Sequence, residues 1–498
     1  MQFRLLILLS TLFLTNLSHA QEKNCAYYVS LIDSALIKKN LYVLASDEYE
    51  GRGNGTKGGE MAMNYIVDDL TKNKVETGNK GSYFQNIEAS APEKGNLRFI
   101  LDKFNYHKDY EYSNSPEQDS IIQTDEIVFV GYGVYSNTYN DFGTEDIKGK
   151  VILRIGEGNI PTSKLGIKYA ERNESEEFLA ANPPKAILDA RLGFSEYYSY
   201  YPSNVVYKTT SNRSSSIPQV RINERLANKI LEPSGKTVKQ IAFETEQSGT
   251  PALFNINKSI SFSGKSVYKN ANLCNIVGLV EGSTLKDEYI VVSAHYDHQA
   301  KYYNTIYNGA DDNASGVAAL MELGRILTKA KKEGNGLKRS VILLFTVAEE
   351  DGLKGSEYYV NQPIFPLDKT KYCVNVDMVG RMSTARLDAQ KDNHYVYVVN
   401  HKEKSQPLVE KVEQVNQQSI NLELDYTHTT PGDSEQLFSR SDQYNFSEKG
   451  VPAIMFTSGT HGDYHRPSDD ADLIDYDGLW KRTQLLFHLV WELANEKE

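Results

Sequence analysis

Four short runs of almost continuous apolar residues lie in the second half of the 498-residue chain: Tyr289 to Ala294, Ser340 to Val347, Tyr372 to Val376 and Val451 to Thr457. A strand with one wet face alternates apolar and polar residues. A run without alternation suits a strand covered on both faces, as in a parallel sheet. Between the first two runs, Val317, Leu320, Met321, Leu323, Ile326 and Leu327 repeat at helical spacing. Strand alternating with helix predicts an α/β fold, with a mainly parallel mixed sheet flanked by helices. The chain is long enough to bury such a core without disulfide staples.

Composition narrows the function classes. Hydrophobic residues make up 40% and charged residues 24%, which excludes a collagen, a disordered chain and a multi-span membrane protein. A diffuse net charge of −12 argues against nucleic acid or an anionic membrane as the main partner. Residues 1–20 read as a secretory signal peptide. Arg4 supplies the positive start, Leu5 to Leu14 the apolar stretch, and Ser18-His19-Ala20 the small-residue cleavage site. The mature protein is therefore expected to be secreted or periplasmic, with no membrane segment after cleavage. Cys25, Cys274 and Cys373 are too few and too odd in number for a disulfide framework, and no CxxC pair offers a thiolate metal site. A bound metal would have to use imidazole and carboxylate.

Along the chain, residues 27–75 read as helical, broken by Gly51-Arg52-Gly53-Asn54-Gly55. No strand precedes that glycine cluster and no GK[ST] follows it, which excludes a phosphate loop. Residues 118–265 change character. Strands are expected at Glu126 to Gly133 and Lys148 to Ile155, loops over 156–216, and a further short element at Ile217 to Val220. No convergent His, Asp or Glu occurs there. The stretch is read as an inserted β-rich domain dividing one domain into 21–117 and 266–498.

The polar residues that follow the four runs carry the chemistry. His295 and Asp297 close the first, Glu349 and Glu350 follow the second, Asp377 closes the third, and His465 lies eight residues after the fourth. Ligands of open α/β sheets gather at the carboxyl ends of the strands, so these distant residues are expected to converge. Asp311-Asp312-Asn313 adds carboxylates just before the helix. Two histidines and several carboxylates exceed the three protein ligands of a single catalytic zinc and suit two ions sharing a carboxylate. One carboxylate must stay off the metal to accept a proton from water. The Glu349-Glu350 pair supplies one ligand and one base, provided the strand ends near Ala348.

With these residues in view, the chain resembles the secreted dinuclear-zinc aminopeptidases, a family that also contains glutamate carboxypeptidases, glutaminyl cyclases and the ectodomain of transferrin receptor. The resemblance rests on Ala294-His-Tyr-Asp-His298, Asn308-Gly-Ala-Asp-Asp-Asn-Ala-Ser-Gly316, Ala348-Glu-Glu-Asp-Gly-Leu-Lys-Gly-Ser356, Val374-Asn-Val-Asp-Met-Val-Gly380, Ser439-Arg-Ser-Asp442 and Asp463-Tyr-His-Arg-Pro-Ser-Asp469. Residues 118–265 are similar to the protease-associated domain often inserted in this family.

The resemblance implies two Zn2+ ions per chain. His295 and Asp377 would hold one, Glu350 and His465 the other, and Asp312 would bridge them across a cis Asp312–Asn313 peptide. Glu349 would be the general base and Tyr464 a donor to the developing oxyanion. Asp297 would orient His295, and Arg440 would contact substrate. One departure is Gln299-Ala300, where many relatives place a glycine. His298 and His461 match no known ligand and are read as rim residues. The implied activity is hydrolytic release of N-terminal amino acids from peptides. The alternatives are a carboxypeptidase or dipeptidase of the same family, or a glutaminyl-peptide cyclotransferase, typically a single-zinc enzyme.

Overall fold

The computed structural model describes residues 24–93, 98–101, 104–106, 110–114, 120–156, 165, 172–192, 206–207, 217–264, 267–302, 305–433 and 435–496. The proposed signal peptide lies outside them. The chain divides into two compact units, one formed by residues 1–87 with 273–498 and the other by residues 88–272.

In the first unit we label the sheet strands β1 (Phe84–Glu93), β2 (Val267–Val280), β3 (Leu285–His295), β4 (Arg339–Thr346), β5 (Thr370–Val376), β6 (Tyr395–Asn400), β7 (Glu423–Asp425) and β8 (Ala453–Thr457). Their order across the sheet is β7-β6-β8-β5-β3-β4-β2-β1. The central strands β4, β3, β5 and β8 are parallel, whereas β2 pairs with β4 and β6 with β8 antiparallel. The sheet is thus mixed with a parallel centre, as the apolar runs predict. The register places His295 beside Thr346, and Val376 beside Phe456. Four strand ends that carry the candidate ligands therefore lie side by side.

Both faces of this centre are covered. One face packs Val291, Ile342, Leu344 and Cys373 against Tyr359 and Phe446. On the other, Gly324 lies directly over Leu343, where a β-carbon would come within 2.5 Å of the leucine Cδ1. The helices of the first unit include α1 (Ser34–Leu44), α2 (Lys57–Asn73), α3 (Gly316–Lys332) and α4 (Tyr476–Asn495). Helix α1 starts where the Asp33 side chain accepts the amides of Ala35 and Leu36, and α2 where Thr56 accepts that of Gly59. Among the described residues, no helix is long and apolar enough to cross a membrane. All three cysteines are free thiols.

The second unit carries its own sheet. Its strands run in the order Phe104–Tyr106, Arg98–Leu101, Leu253–Gly264, Ser120–Val130, Val151–Ile155, Ala186–Arg191, Gln219–Asn223 and Tyr110–Asn114. The unit begins earlier than residue 118 because strands from 98 onward pair into this sheet. It ends later than residue 265, because β2 crosses the boundary. The reading of 156–216 as loops is corrected in part, since a helix at Arg172–Ala181 and a strand at Ala186–Arg191 lie within it. Helices Glu224–Leu231 and Val238–Ser248 contribute Leu226, Ile230, Leu231 and Ile241 to the core formed with this sheet.

Candidate metal centre

Strand β3 ends at His295, whose side chain is almost fully buried. Its Nε2 lies 3.2 Å from Asp312 Oδ1 and 3.3 Å from Asp377 Oδ1. Its Nδ1 lies 3.2 Å from the Asp297 carbonyl oxygen but 3.8 Å from the Asp297 carboxylate. Donation from Nδ1–H to the carbonyl leaves the Nε2 lone pair facing the two acids. The orienting role expected of Asp297 thus falls to its main chain. Its carboxylate instead accepts Asn54 Nδ2 at 2.9 Å and the Glu349 amide at 3.2 Å. Burial pushes that carboxyl up to about 7.

Asp312 sits in the turn before α3, and the Asp312–Asn313 peptide is cis. Its backbone amide donates to Asp469 Oδ2 at 3.2 Å. Oδ1 faces His295, while Oδ2 lies 3.0 Å from His465 Nε2. One carboxylate therefore serves two groups of donors. Asp377 follows β5 directly and accepts the Ser441 hydroxyl on Oδ2 at 2.6 Å, leaving Oδ1 toward His295.

Strand β4 ends at Thr346, and Ala348 takes φ +60°. That reversal breaks the two-residue alternation of the strand, so both adjacent glutamates reach the site. Glu350 Oε2 lies 3.2 Å from His465 Nε2. Glu349 lines a small cavity of about 40 Å³ together with Asp312, Asp377, Arg440 and Tyr464. Burial holds the Glu349 carboxyl well above the carboxylate range; the charge of His295 opposes this, while those of Glu350, Asp377 and Asp442 add to it.

His465 occupies the turn after β8 with φ +56°. Burial pulls its imidazole down, but the charge of Glu350 and the contact with Asp312 prevail and raise it to about 10. The ring stacks on Tyr464 with centroids 3.8 Å apart, and the Tyr464 hydroxyl accepts Arg440 Nη2 at 3.3 Å. All the site residues anticipated from the sequence thus meet in one place.

Two histidines read as rim residues do not lie on a rim. His298 is fully buried, with Nδ1 2.7 Å from Glu350 Oε1 and 3.7 Å from Asp312 Oδ2. His461 is buried behind the bridging turn, with Nε2 3.4 Å from Asp311 Oδ2. The loop after β8 folds back under Asp311 and Asp312 and carries His461 inward with Asp469. Position was a usable signal for His298, because it follows His295 by three residues at the same strand end.

Arg52 was also missed as a structural element of the site. It is buried and donates to the carbonyls of Leu44, Tyr296, Asn308, Gly309 and Asp312. Beside it, Gly51 has φ +68°, and a β-carbon there would lie 2.4 Å from the Tyr307 carbonyl oxygen. Ala300, at the departure from the family pattern, takes the left-handed φ +61° that a glycine would favour.

The donor spacing can be set against metal chemistry. Zinc bonds nitrogen and oxygen at about 2.0–2.2 Å, so neighbouring ligand atoms of a tetrahedral site lie roughly 3.3–3.6 Å apart. His295, Asp312 and Asp377 form one group of close donors, and His298, Asp312 and Glu350 another. His465 Nε2 and Glu350 Oε1 are buried without a hydrogen-bond partner. Such atoms are costly to bury unless a cation meets them. The residues fit a pair of divalent ions bridged by Asp312.

Comparison with known proteins follows the same segments. Residues 275–490 match the model of Peptidase family M28. The match covers under half of the chain and shows a likeness to that family over these residues. The chain is 26% identical over 246 residues to Aminopeptidase YwaD of Bacillus subtilis, covering 46% of this chain and 47% of YwaD. It is 33% identical over 130 residues to Aminopeptidase NAALADL1 of Rattus norvegicus, covering 25% of this chain and 16% of that protein. The chain thus spans about half the length of the first of these relatives, and less of the second. The solved structure of BSAP, a zinc aminopeptidase from Bacillus subtilis, superposes with a TM-score of 0.62 at 19% identity, covering 94% of this chain and 96% of that one. That likeness shows a shared fold.

Proposed function

We propose that this chain is a zinc-dependent exopeptidase that removes N-terminal amino acids from peptides. The observation that carries the reading is Asp312, whose two oxygens face separate groups of imidazole and carboxylate donors. His295, Asp377 and Asp312 would hold one ion, and Glu350, His465 and Asp312 the other. Two zinc ions held there would supply Lewis acidity and a water ionisable near neutral pH. The names of the relatives, an aminopeptidase and a zinc aminopeptidase, support this metal and this reaction class.

The protein groups then have distinct tasks. Glu349 lines the same cavity as Asp312 and Asp377. It takes the proton from the attacking water and passes it to the leaving amine. Tyr464, held by Arg440, presents a hydroxyl toward the carbonyl oxygen as negative charge develops there. Met378, Leu437, Met455 and Thr457 complete the cavity and would receive the first side chain of the substrate. The surplus of carboxylates attracts a free terminal amine. The inserted unit is read as a protease-associated domain, and the N-terminal residues as an export signal.

The test is Glu349→Gln assayed on an amino-acid p-nitroanilide and on an N-blocked peptide. The expected result is a loss of about 10²–10⁴-fold in turnover with zinc content unchanged, and no cleavage of the blocked peptide by either protein. A variant rate within a few-fold of wild type would remove Glu349 as the base. Cleavage of the blocked peptide would remove the aminopeptidase reading.

A further inference from the structure

We infer that His298 is an additional metal ligand, binding through Nδ1 at the position shared by Glu350, His465 and Asp312. The inference rests on the two-ion reading above and adds a residue to it.

Three observations carry it. First, His298 is fully buried, and neither ring nitrogen has a hydrogen-bond partner among the described residues. A buried imidazole normally satisfies at least one nitrogen. Second, Nδ1 is aimed at the second donor group, 2.7 Å from Glu350 Oε1 and 3.7 Å from Asp312 Oδ2. Among the described residues, Glu350 Oε1 has no partner closer than this imidazole, and Asp312 lies within the same group of close donors. An imidazole nitrogen and two carboxylates converging in this way form a group that a divalent cation could join. Third, the ring is held there by its surroundings. It lies against Gly309, where a β-carbon would meet Cδ2 at 2.4 Å and Cγ at 2.5 Å. The His298 backbone amide donates to the Arg52 carbonyl at 3.3 Å.

The centre is then asymmetric. One ion has a single imidazole, from His295, with Asp377 and Asp312. The other has two imidazoles, from His298 and His465, with Glu350 and Asp312. Nitrogen donors favour borderline cations such as zinc over magnesium or calcium, so the second position discriminates more strongly among metals.

The test counts imidazoles and ions directly. Zinc X-ray absorption on the fully loaded wild-type protein should fit three imidazoles over two zincs; a fit to two overturns the assignment without any variant. In parallel, apo wild type and His298→Gln are titrated with Co2+, read by visible absorption and by equilibrium dialysis. Wild type should take two equivalents. The variant should keep one tight equivalent and lose at least tenfold in affinity for the other. Both equivalents binding the variant within about twofold of wild type, with the same spectrum, overturns the role of His298 and leaves the two-ion reading standing. A single equivalent in the wild type overturns both.

Discussion

Asp377 divides its carboxylate between two tasks, with one oxygen toward His295 and the other receiving the Ser441 hydroxyl at 2.6 Å. Partners that fix a ligand in this way typically contribute 10–100-fold in metal affinity. Ser441→Ala should therefore weaken zinc binding by about that factor, measured by competition with a chromophoric chelator, with little change in Tm. A melting loss comparable to that of a core truncation would instead assign Ser441 to the fold. Asp377 was legible in the sequence as a candidate because a carboxylate ending an apolar strand needs a cation or hydrogen-bond donors. Glu349 and Glu350 were legible only as a pair whose side chains must both escape the strand, and the left-handed Ala348 supplies that escape. Arg52 was not legible, and His298 only through its place three residues after His295. A lone histidine or arginine reads the same in a core as in a site. Their burial depends on Gly309 and on the turn at Asp312, hundreds of residues from Arg52.

Between elements, the turn that carries Asp312 is tied to the loop after Asp377 by three consecutive amides. Met378, Val379 and Gly380 donate to the side chains of Asn313, Ser315 and Asp311, at 3.2, 3.1 and 2.6 Å. This junction fixes the distance between the two acids that face His295. On the other side of the same turn, Arg52 anchors the leading helices through five carbonyls. Lysine would reach fewer of them and leave buried carbonyl groups without donors. Arg52→Lys should cost about 3 kcal/mol in denaturant unfolding, and a loss under 0.5 kcal/mol would show that the carbonyls find other donors. The strands of the parallel centre were legible because burial on both faces removes alternation. The helix at Arg172–Ala181 was not. Its sequence, Arg-Asn-Glu-Ser-Glu-Glu-Phe-Leu-Ala-Ala, is polar over most of its length and lacks a clear apolar stripe.

At the scale of the molecule, the two units carry separate cores and separate sensitivities. In the second unit, burial pushes the Asp141 carboxyl up to about 7, although the amides of Val134 and Tyr132 favour its charged form. The unfolded chain ionises this group near 3.8. Its proton is thus held more tightly in the folded state, so stability is fullest below about pH 4 and is lost as pH rises to about 7. Asp141→Asn, compared with wild type by thermal melting, should gain relative stability at pH 8 over pH 5. An offset independent of pH would mean that Asp141 ionises alike in both states. The existence of an insertion was legible from the change in composition, but its edges were not. Strands β1 and β2 run across both boundaries, so no linker marks them.

That continuity bears on how the protein is made. Strand β1 pairs with β2, and α2 packs against α3, yet the whole insertion is translated between these partners. At 5–20 residues per second, the leading helices leave the ribosome roughly ten to forty seconds before anything exists to cover their apolar sides. Nascent-chain handling, rather than the final stability, is where substitutions in residues 34–73 should first reveal themselves.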